Sequence, residues 1–148
     1  MSSSDFGGYA GDVTVTATFE ALTSDPRAVL IDVRTRAEWS YVGIPSLDAV
    51  GKEPVLIEWH AFGSSPDPSA FADALAEHLR AMGVATDAPL YFICRSGQRS
   101  RSAAMVMTSV GYSQCFNVTE GFEGPLDPER HRGGAAGWKA EGLPWKQT

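Results

Sequence analysis

The segment LYFICRSGQRSRSAAMVMTSV, residues 90–110, contains the change of backbone pattern that decides the fold. It opens with four apolar residues, Leu90–Ile93, a length typical of a strand that is covered on both faces. Over residues 99–110 the apolar residues recur at helical spacing, at Ala103, Val106, Met107 and Val110. Only a short loop separates the two patterns. The segment therefore predicts a strand, a tight turn and a helix.

The rest of the chain repeats this alternation of strands and helices. Further predicted strands cover residues 13–15, 28–33, 55–59 and 115–118, and further helices cover about residues 18–23, 35–40 and 68–82. In the last of these helices Asp67 supplies the N-cap, Gly83 ends the helix, and one face carries Phe71, Leu75, Leu79 and Met82. The alternation predicts an α/β fold of three layers, a mainly parallel sheet of about five strands with helices on both faces.

Chemistry in such a sheet is expected at the carboxyl ends of the strands, where ligands bind. The candidate residues that end or follow the predicted strands are Asp32, Arg34, Trp59, His60, Cys94 and Glu120. A packed aromatic residue and a surface histidine are the default interpretations of Trp59 and His60, with a place in a pocket lining as the alternative. Cys94 is the strongest candidate because of the residues that follow it.

The loop after Cys94 is suited to hold its sulfur as a thiolate. It consists of Arg95-Ser96-Gly97-Gln98, and Arg99 opens the predicted helix. Gly97 permits backbone angles that let successive N–H groups turn inward, and the helix N-terminus adds partial positive charge. Such settings lower a cysteine pKa from about 8.5 to roughly 3.5–7.5, so that no histidine is needed as a base. The hypothesis requires that solvent and substrate reach the sulfur.

The composition narrows the class of partner. The 148 residues carry 12 Lys and Arg against 18 Asp and Glu, a formal net charge of -6, which argues against a nucleic-acid partner. Arg95, Arg99 and Arg101 nevertheless cluster, as suits a small anionic substrate. Two cysteines and three histidines without metal-ligand spacing predict neither a metal site nor a cofactor. Cys115, which lacks the setting of Cys94, is expected to be a buried apolar residue.

The chain is expected to form one domain after a short tail. Residues 1–12, which contain Ser and Gly and little to bury, predict a flexible tail, and residues 13–148 predict the domain. No apolar run approaches the roughly 18 residues that would span a bilayer, so no membrane partner is expected. The N-terminus lacks the basic and apolar regions of a signal peptide, and the expected compartment is the cytoplasm.

These motifs resemble those of the single-domain rhodaneses. Residues 29–34, VLIDVR, followed by Glu38 and Trp39, match the opening segment of that family, and residues 94–100, CRSGQRS, match its active-site loop. Further matches are Gly111-Tyr112, Glu120-Gly121, Gly137-Trp138 and Gly142-Leu143-Pro144. The resemblance spans about residues 13–145. It implies the rhodanese fold and the activity of a sulfurtransferase.

The resemblance also implies a role for each residue of the loop. Cys94 would accept a sulfane sulfur from an anionic donor, such as thiosulfate or a persulfide, and would pass it on to a thiol or cyanide. The donor would bind to Arg95, Ser96, Gly97, Gln98 and Arg99, with the Arg95 guanidinium on its oxygens. Asp32 and Arg34 would support the loop, and Arg99 is expected to form a buried ion pair with Asp32.

Two departures from the family pattern affect this interpretation. Residues 42–47 lack the histidine that the family usually has there, which bears on fine positioning more than on the core. Residues 124–134, which include Arg130-His131-Arg132, are longer than the minimal pattern. They form either a lid that supplies charge to the pocket or a solvated loop, and the solvated loop is the favoured interpretation.

Two other functions compete with sulfur transfer. A phosphatase or arsenate reductase uses a similar thiolate loop, but its arginine stands six residues after the cysteine, where this chain has Ser100. With Arg99 in the fifth position, the loop is shorter and better suited to a sulfur atom than to a phosphate. The second alternative is a catalytically silent domain that carries sulfur or regulates a partner, although the retained Cys94 argues against it.

Overall fold

The computed structural model describes residues 8–61 and 63–147, which contain seven strands, four α-helices and a short 3-10 helix, Asp48–Val50. In chain order these are β1 (Gly11–Val13), α1 (Val15–Ser24), β2 (Val29–Asp32), α2 (Arg36–Val42), β3 (Ile44–Pro45), β4 (Val55–Leu56), α3 (Pro68–Ala81), β5 (Leu90–Ile93), α4 (Gln98–Ser109), β6 (Cys115–Val118) and β7 (Trp145–Lys146). The strands predicted at residues 90–93 and 115–118 are confirmed with the same bounds.

The main sheet places β5 at its centre. Its five strands are parallel and follow the order β1-β6-β5-β2-β4. Asp32, the last residue of β2, is in register with Ile93, the last residue of β5, so the loops after these two strands leave the sheet side by side. β3 and β7 form a separate antiparallel pair. The predicted α/β fold with a mainly parallel sheet is confirmed.

Helices cover both faces of this sheet and produce the three layers. On one face, α3 and α4 pack against the sheet through fully buried side chains that include Leu75, Met107 and Phe92. On the other face, Leu22 of α1 packs in the cluster that contains Ile93. Every residue of β5 is buried because successive side chains face opposite layers, and both layers are covered.

Helices α2 and α3 begin at residues whose side chains cap the helix N-terminus, and both caps correspond to recognisable sequence patterns. Asp67 accepts a hydrogen bond from the Ala70 N–H at the start of α3, as predicted, and Pro68 occupies the first turn. At the start of α2, Thr35 and Glu38 form a capping box, in which each side chain accepts from the other residue's backbone N–H. No helix within the described ranges has the length and apolar character needed to cross a membrane.

The N-terminal boundaries differ from the prediction. β1 begins at Gly11, inside the expected tail of residues 1–12, because its residues pair with β6. α1 begins at Val15, which was assigned to a strand, because Thr14 supplies its N-cap. Of the expected tail, residues 1–7 lie outside the described residues.

Three other predictions fail at the ends of elements. Met82 and Val110 are 49% and 52% exposed rather than buried, because they are the C-cap residues of α3 and α4 and no longer follow the helical face. β4 has two residues instead of the five predicted. Beyond it, the amides of Ile57 and Trp59 still donate to carbonyl groups of the β2 segment, without forming a regular strand.

Candidate active site

Cys94 directly follows β5 and lies at the carboxyl edge of the sheet, where chemistry was expected. Its Sγ accepts a hydrogen bond from the Gly97 N–H at 3.2 Å and lies 3.2 Å from the Ser100 Oγ. Both partners belong to the turn that leads into α4 or to the first turn of that helix. The sulfur therefore lies at a helix N-terminus, which carries partial positive charge and favours an anion.

Gly97 makes this turn possible. Its φ of 106° falls in the region that disfavours other residues, and a Cβ here would collide with the backbone carbonyl oxygen of Thr119. Of the amides that were predicted to turn toward the sulfur, that of Gly97 donates a hydrogen bond to Sγ. α4 begins at Gln98, one residue earlier than expected.

The Cys94 side chain is not open to solvent. Cys94 is 1% exposed and belongs to the apolar cluster between the sheet and helices α3 and α4, together with Phe92. Side chains two residues apart on a strand face the same layer, which is why Cys94 follows Phe92 into this cluster. The condition that solvent and substrate reach the sulfur is therefore not met in this conformation.

Ser100 connects the sulfur to a line of polar groups. Its Oγ donates to Asn117 Oδ1 at 2.7 Å, Asn117 Nδ2 donates to Asp12 Oδ1 at 3.1 Å, and Tyr9 also donates to that oxygen at 2.8 Å. While Ser100 gives its only proton to Asn117, its contact with Cys94 requires an S–H donor. An ionised sulfur instead requires that the hydroxyl proton turn toward it. The orientation of Ser100 is thus coupled to the protonation of Cys94.

The loop after β6 holds the carbonyl side of the Cys94 loop. The Phe122 N–H donates to the Cys94 carbonyl at 2.8 Å, and the Glu123 N–H donates to the Arg95 carbonyl at 3.1 Å. The two loops approach so closely that a Cβ on Gly121 would collide with the backbone of Arg95. The backbone of Cys94 and Arg95 is therefore fixed from one side by the exit of β6 and from the other by α4.

Asp32 and Arg34 form a fully buried ion pair beside this loop. Arg34 Nη2 donates to Asp32 Oδ2 at 2.7 Å, and both side chains are 0% exposed. Arg34 also donates to the Gly43 carbonyl at 2.8 Å, and its guanidinium lies 4.2 Å from the centroid of the Phe122 ring. The expected pair of Arg99 with Asp32 is wrong, because Arg34 already occupies the Asp32 carboxylate.

Arg99 instead pairs with Glu38 and joins α4 to α2. Its Nη1 and Nη2 donate to the two carboxylate oxygens at 2.7 and 3.0 Å. Burial alone would raise the pKa of the Glu38 carboxyl, but hydrogen bonds from Arg99 and from the Thr35 backbone lower it to about 2. The hydrogen bond to Glu38 in turn raises the pKa of Arg99. Both groups are therefore charged at neutral pH.

A cavity of about 740 Å³ opens beside the loop. Its charged lining consists of four arginines and two glutamates, Arg95, Arg99, Arg130, Arg132, Glu38 and Glu123. Of the predicted substrate-binding residues, Arg95 and Arg99 line it, whereas Ser96, Gln98 and Gly97 do not. Cys94 is also outside the lining, which agrees with its burial.

The two residues that follow β4 have different positions. Trp59 is 8% exposed and packs edge to face against Phe71, with ring centroids 4.9 Å apart, so it is the packed aromatic residue that was expected. His60 lines the cavity, which was the alternative rather than the default. Its Nδ1 lies 3.0 Å from the Ala61 carbonyl oxygen, the arrangement in which Nδ1 carries the proton.

Residues 124–134 are mostly exposed, in agreement with the favoured interpretation as a solvated loop, and their Arg130 and Arg132 also line the cavity. The Asp127 carboxylate organises the segment, because it accepts from the backbone N–H groups of Glu129 and His131. The turn at Asp127 could not be predicted from the sequence, because residues of these types occur in many loops with different turn geometries.

Two contributions to the site are not apparent in the sequence. Ser100 and Asn117 are 17 residues apart and occupy different elements, so no local pattern joins them. The spacing of Thr35 and Glu38 does predict a capping box, which makes Glu38 visible as a helix signal. Its pairing with Arg99 spans 61 residues and follows only from the way α2 and α4 pack.

Cys115 is buried in β6, as predicted. Its Sγ donates to the Tyr112 carbonyl at 3.6 Å, and burial raises the pKa of this thiol to about 11. Cys115 therefore remains a thiol at neutral pH and provides an internal control for Cys94. Within the described ranges, no group of three or more His, Cys, Asp or Glu side chains could hold a metal ion.

The parallel sheet, with its cysteine loop between β5 and α4, defines a rhodanese-like domain. The solution structure of the 30 kDa polysulfide-sulfur transferase homodimer from Wolinella succinogenes shares this fold, with a TM-score of 0.59, 20% identity, and coverage of 93% of this chain and 78% of that one. The chloroplastic rhodanese-like domain-containing protein 4 of Arabidopsis thaliana is 24% identical over 127 residues. These residues are 86% of this chain but 24% of that protein.

Within this class, the chain belongs to the family described as the STR4 middle domain, whose family model matches residues 10–148. An uncharacterized protein of Rickettsia conorii is 35% identical over 135 residues, which are 91% of this chain and 96% of that protein. The crystal structure of Rv0390 from M. tuberculosis is 44% identical, with a TM-score of 0.80 and coverage of 95% of this chain and 100% of that one.

Proposed function

We propose that the protein is a sulfurtransferase in which Cys94 carries the transferred sulfur. The Cys94 thiolate attacks the outer sulfur of an anionic donor, a new S–S bond forms, and the S–S bond of the donor breaks. Sulfite leaves from thiosulfate, or a thiolate leaves from a persulfide. A thiol or cyanide then attacks the bound sulfur, and Cys94 leaves as a thiolate. The two steps together transfer one sulfur atom with no external oxidant or reductant.

The setting of the sulfur is the observation that supports this proposal. Sγ lies at the N-terminus of α4, where it accepts the hydrogen bond from Gly97. These groups stabilise negative charge on the thiolate, on the persulfide and on the leaving sulfur of the second step. Arg95 and Arg99 line the adjoining cavity and attract an anionic donor. Distant relatives described as rhodanese-like support the same class of chemistry.

Transfer requires movement of the loop, because Cys94 is 1% exposed. The carbonyl side of the loop is fixed by the amides of Phe122 and Glu123, whereas the sulfur side is held only by Gly97 and Ser100. Access to the sulfur therefore requires that the Gly97 N–H and the Ser100 hydroxyl separate from Sγ. A donor that binds Arg95 in the open form would favour that form.

The two competing functions make different use of the same features. Phosphoryl transfer needs a cradle for a tetrahedral group, and Arg99 stands five rather than six residues after Cys94, which makes the loop shorter than that of a phosphatase. A silent sulfur carrier or regulatory domain is favoured by one observation, the burial of Cys94. Measurements of turnover distinguish sulfur transfer from both alternatives.

The test measures turnover with several donors and acceptors. The parent protein is expected to transfer sulfur from thiosulfate or an organic persulfide to cyanide or a thiol, and Cys94→Ser is expected to abolish this activity. Cys115→Ser is the matched control and should retain it, because Cys115 is held as a buried thiol. Turnover of a phenyl phosphate alone would favour the phosphatase. Absence of every turnover, with both variants equal to the parent, would favour the silent domain.

A further inference from the structure

A row of three residues crosses the main sheet beside the cysteine loop. Asp12 of β1 is in register with Asn117 of β6, which in turn is in register with Phe92 of β5. Side chains in register on neighbouring strands share a face of the sheet, and Phe92 faces the layer that contains α4. Cys94 belongs to the same layer. The row therefore directs Asn117 toward Ser100 in the first turn of α4.

Asn117 is a buried polar residue at a position where an apolar side chain would pack without any hydrogen bond. It is 2% exposed, and its side chain bonds to Ser100 on α4 and to Asp12 on β1. A buried amide is costly unless its polar atoms are paired, so a purely structural explanation is that the network fixes the packing of α4 on β6. The same Ser100 hydroxyl also contacts the Cys94 sulfur, which gives the network a chemical consequence.

Asp12 determines which way the Asn117 amide points. Asp12 Oδ1 accepts hydrogen bonds from Asn117 Nδ2 at 3.1 Å and from the Tyr9 hydroxyl at 2.8 Å. An acceptor at this position must face the NH₂ group of the amide, so that Asn117 Oδ1 faces Ser100 and accepts its proton. With the amide turned over, the NH₂ group would face the Ser100 oxygen, and the hydroxyl proton would be free for the sulfur.

We infer that Asp12 and Asn117 are positioning residues that keep the Ser100 proton away from the sulfur and so oppose the ionisation of Cys94 in the closed site. The inference rests on the proposed function, in which Cys94 is the nucleophile, and adds a control on it. A Cys94 thiolate would have to take the Ser100 proton from Asn117, whereas the thiol donates to the Ser100 oxygen without breaking that bond. A buried thiol held in this way resists alkylation and oxidation, since both reactions need the thiolate.

Other charges face the sulfur and the network, and they define the background of the test. Arg99 of α4 interacts electrostatically with Cys94 and with Asp32 at the end of β2. Arg101 of α4 interacts with Tyr9 beside the outer end of the network. Removal of the buried amide leaves all of these charges in place. A change in the reactivity of the sulfur can then be assigned to the hydrogen bond rather than to the surrounding charges.

The first test measures the alkylation of Cys94 by iodoacetamide as a function of pH. We expect Asn117→Leu to raise the rate at neutral pH by about three- to tenfold, since a neutral hydrogen bond no longer competes for the Ser100 proton. The midpoint of the pH profile should fall by about half to one unit. In a Ser100→Ala background the same substitution should have no effect, because the proton that it releases is absent. An equal increase in both backgrounds, or no increase in either, would overturn the inference.

The second test changes the exposed end of the network and does not disturb the core. Asp12→Ala should raise the rate in the same direction but by a smaller factor, about two- to threefold, because water can replace the carboxylate as an acceptor. Asp12→Asn keeps an acceptor oxygen in the place of Oδ1 and should behave like the parent. Glu20→Ala removes an exposed charge from α1 and is the matched control. Equal rates for Asp12→Asn and Asp12→Ala, both above the parent, would show that charge acts and not orientation, and would overturn the inference.

These measurements need no transfer of sulfur, so they separate the inference from the proposed function. The expected alkylation rates in a protein that turns over no sulfur donor would support the inference and contradict the proposed function. Sulfur transfer by Cys94, together with parent-like alkylation in both Asn117→Leu and Asp12→Ala, would overturn the inference and leave the proposed function standing.

Discussion

At the scale of single residues, the hydroxyl proton of Ser100 is one of the groups that can stabilise a charged sulfur. Ser100 Oγ lies between Cys94 Sγ at 3.2 Å and Asn117 Oδ1 at 2.7 Å, and it can donate to only one of them at a time. Donation to Asn117 suits the thiol, and donation to sulfur suits the thiolate. Ser100 is therefore a positioning residue that shares in stabilising the charged form.

Removal of this hydroxyl should slow the reactions of Cys94. We expect Ser100→Ala to react with iodoacetamide roughly tenfold more slowly at a given pH, since a hydrogen bond to a charged group contributes about 1.5–3 kcal/mol. Ser100→Thr should restore the rate because it restores the hydroxyl. Ser102→Ala, whose hydroxyl bonds only to the helix backbone, should react like the parent. Equal alkylation rates for Ser100→Ala and the parent would remove the proposed role.

At the scale of elements, the ion pair of Glu38 and Arg99 fastens α2 to α4. The pKa of Glu38 is lowered to about 2 from its usual 4.5, and its side chain is 19% exposed. A carboxyl whose pKa falls on folding stabilises the folded state above its unfolded pKa, and this contribution is lost as the pH falls toward the folded pKa. The stabilising effect should therefore be complete near neutral pH and disappear between about pH 4.5 and 2.

Glu38→Gln tests this pH dependence, because Gln keeps the capping box but not the charge. At pH 7 we expect a loss of about 1–3 kcal/mol in the free energy of unfolding, after allowance for solvent screening. The difference from the parent should shrink as the pH is lowered below about 4.5. Asp48→Asn, in an exposed pair with Lys146, is the matched control and should change stability little at any pH. A difference that persists unchanged at pH 3 would contradict the account.

The contact between the Cys94 loop and the exit of β6 gives a second prediction at this scale. Gly97 and Gly111 have nearly the same backbone, with φ of +106° and +111°, but a Cβ would collide with the Thr119 carbonyl at Gly97 and would meet nothing within 4 Å at Gly111. Both alanine substitutions carry the cost of positive φ. Gly97→Ala should lose roughly 1–3 kcal/mol more than Gly111→Ala in denaturant unfolding, because overpacking adds to that cost. Equal losses would show that the loop does not rest on β6 as described.

At the scale of the whole molecule, the features that could be predicted are those that repeat along the chain. Apolar runs of four residues and helical stripes between them are sufficient to specify a parallel sheet with two covered faces. The position of Cys94 at the carboxyl edge follows from that topology without further information. The glycine in the loop after it, Gly97, is also visible in the sequence because a tight turn requires one.

The features that could not be predicted depend on packing between distant segments. The partner of Arg99 is Glu38 rather than Asp32, because Arg34, two residues from Asp32, reaches that carboxylate first. The alternation of side chains along the strand predicts that Cys94 faces a covered layer. Whether its sulfur is covered depends on how α4 and the loop after β6 pack around it, which the sequence does not predict. Arg130 and Arg132 line the cavity because of a turn whose geometry the sequence does not predict.

The measurement that tests the central claim most directly is the intact mass of the protein after exposure to a sulfane donor. We predict a gain of about 32 Da, the mass of one sulfur atom, located on Cys94 by peptide mapping and absent from Cys115. Addition of an acceptor thiol should return the mass to its starting value. A parent protein whose mass never changes, or a Cys94→Ser variant that gains the same mass, would contradict the account.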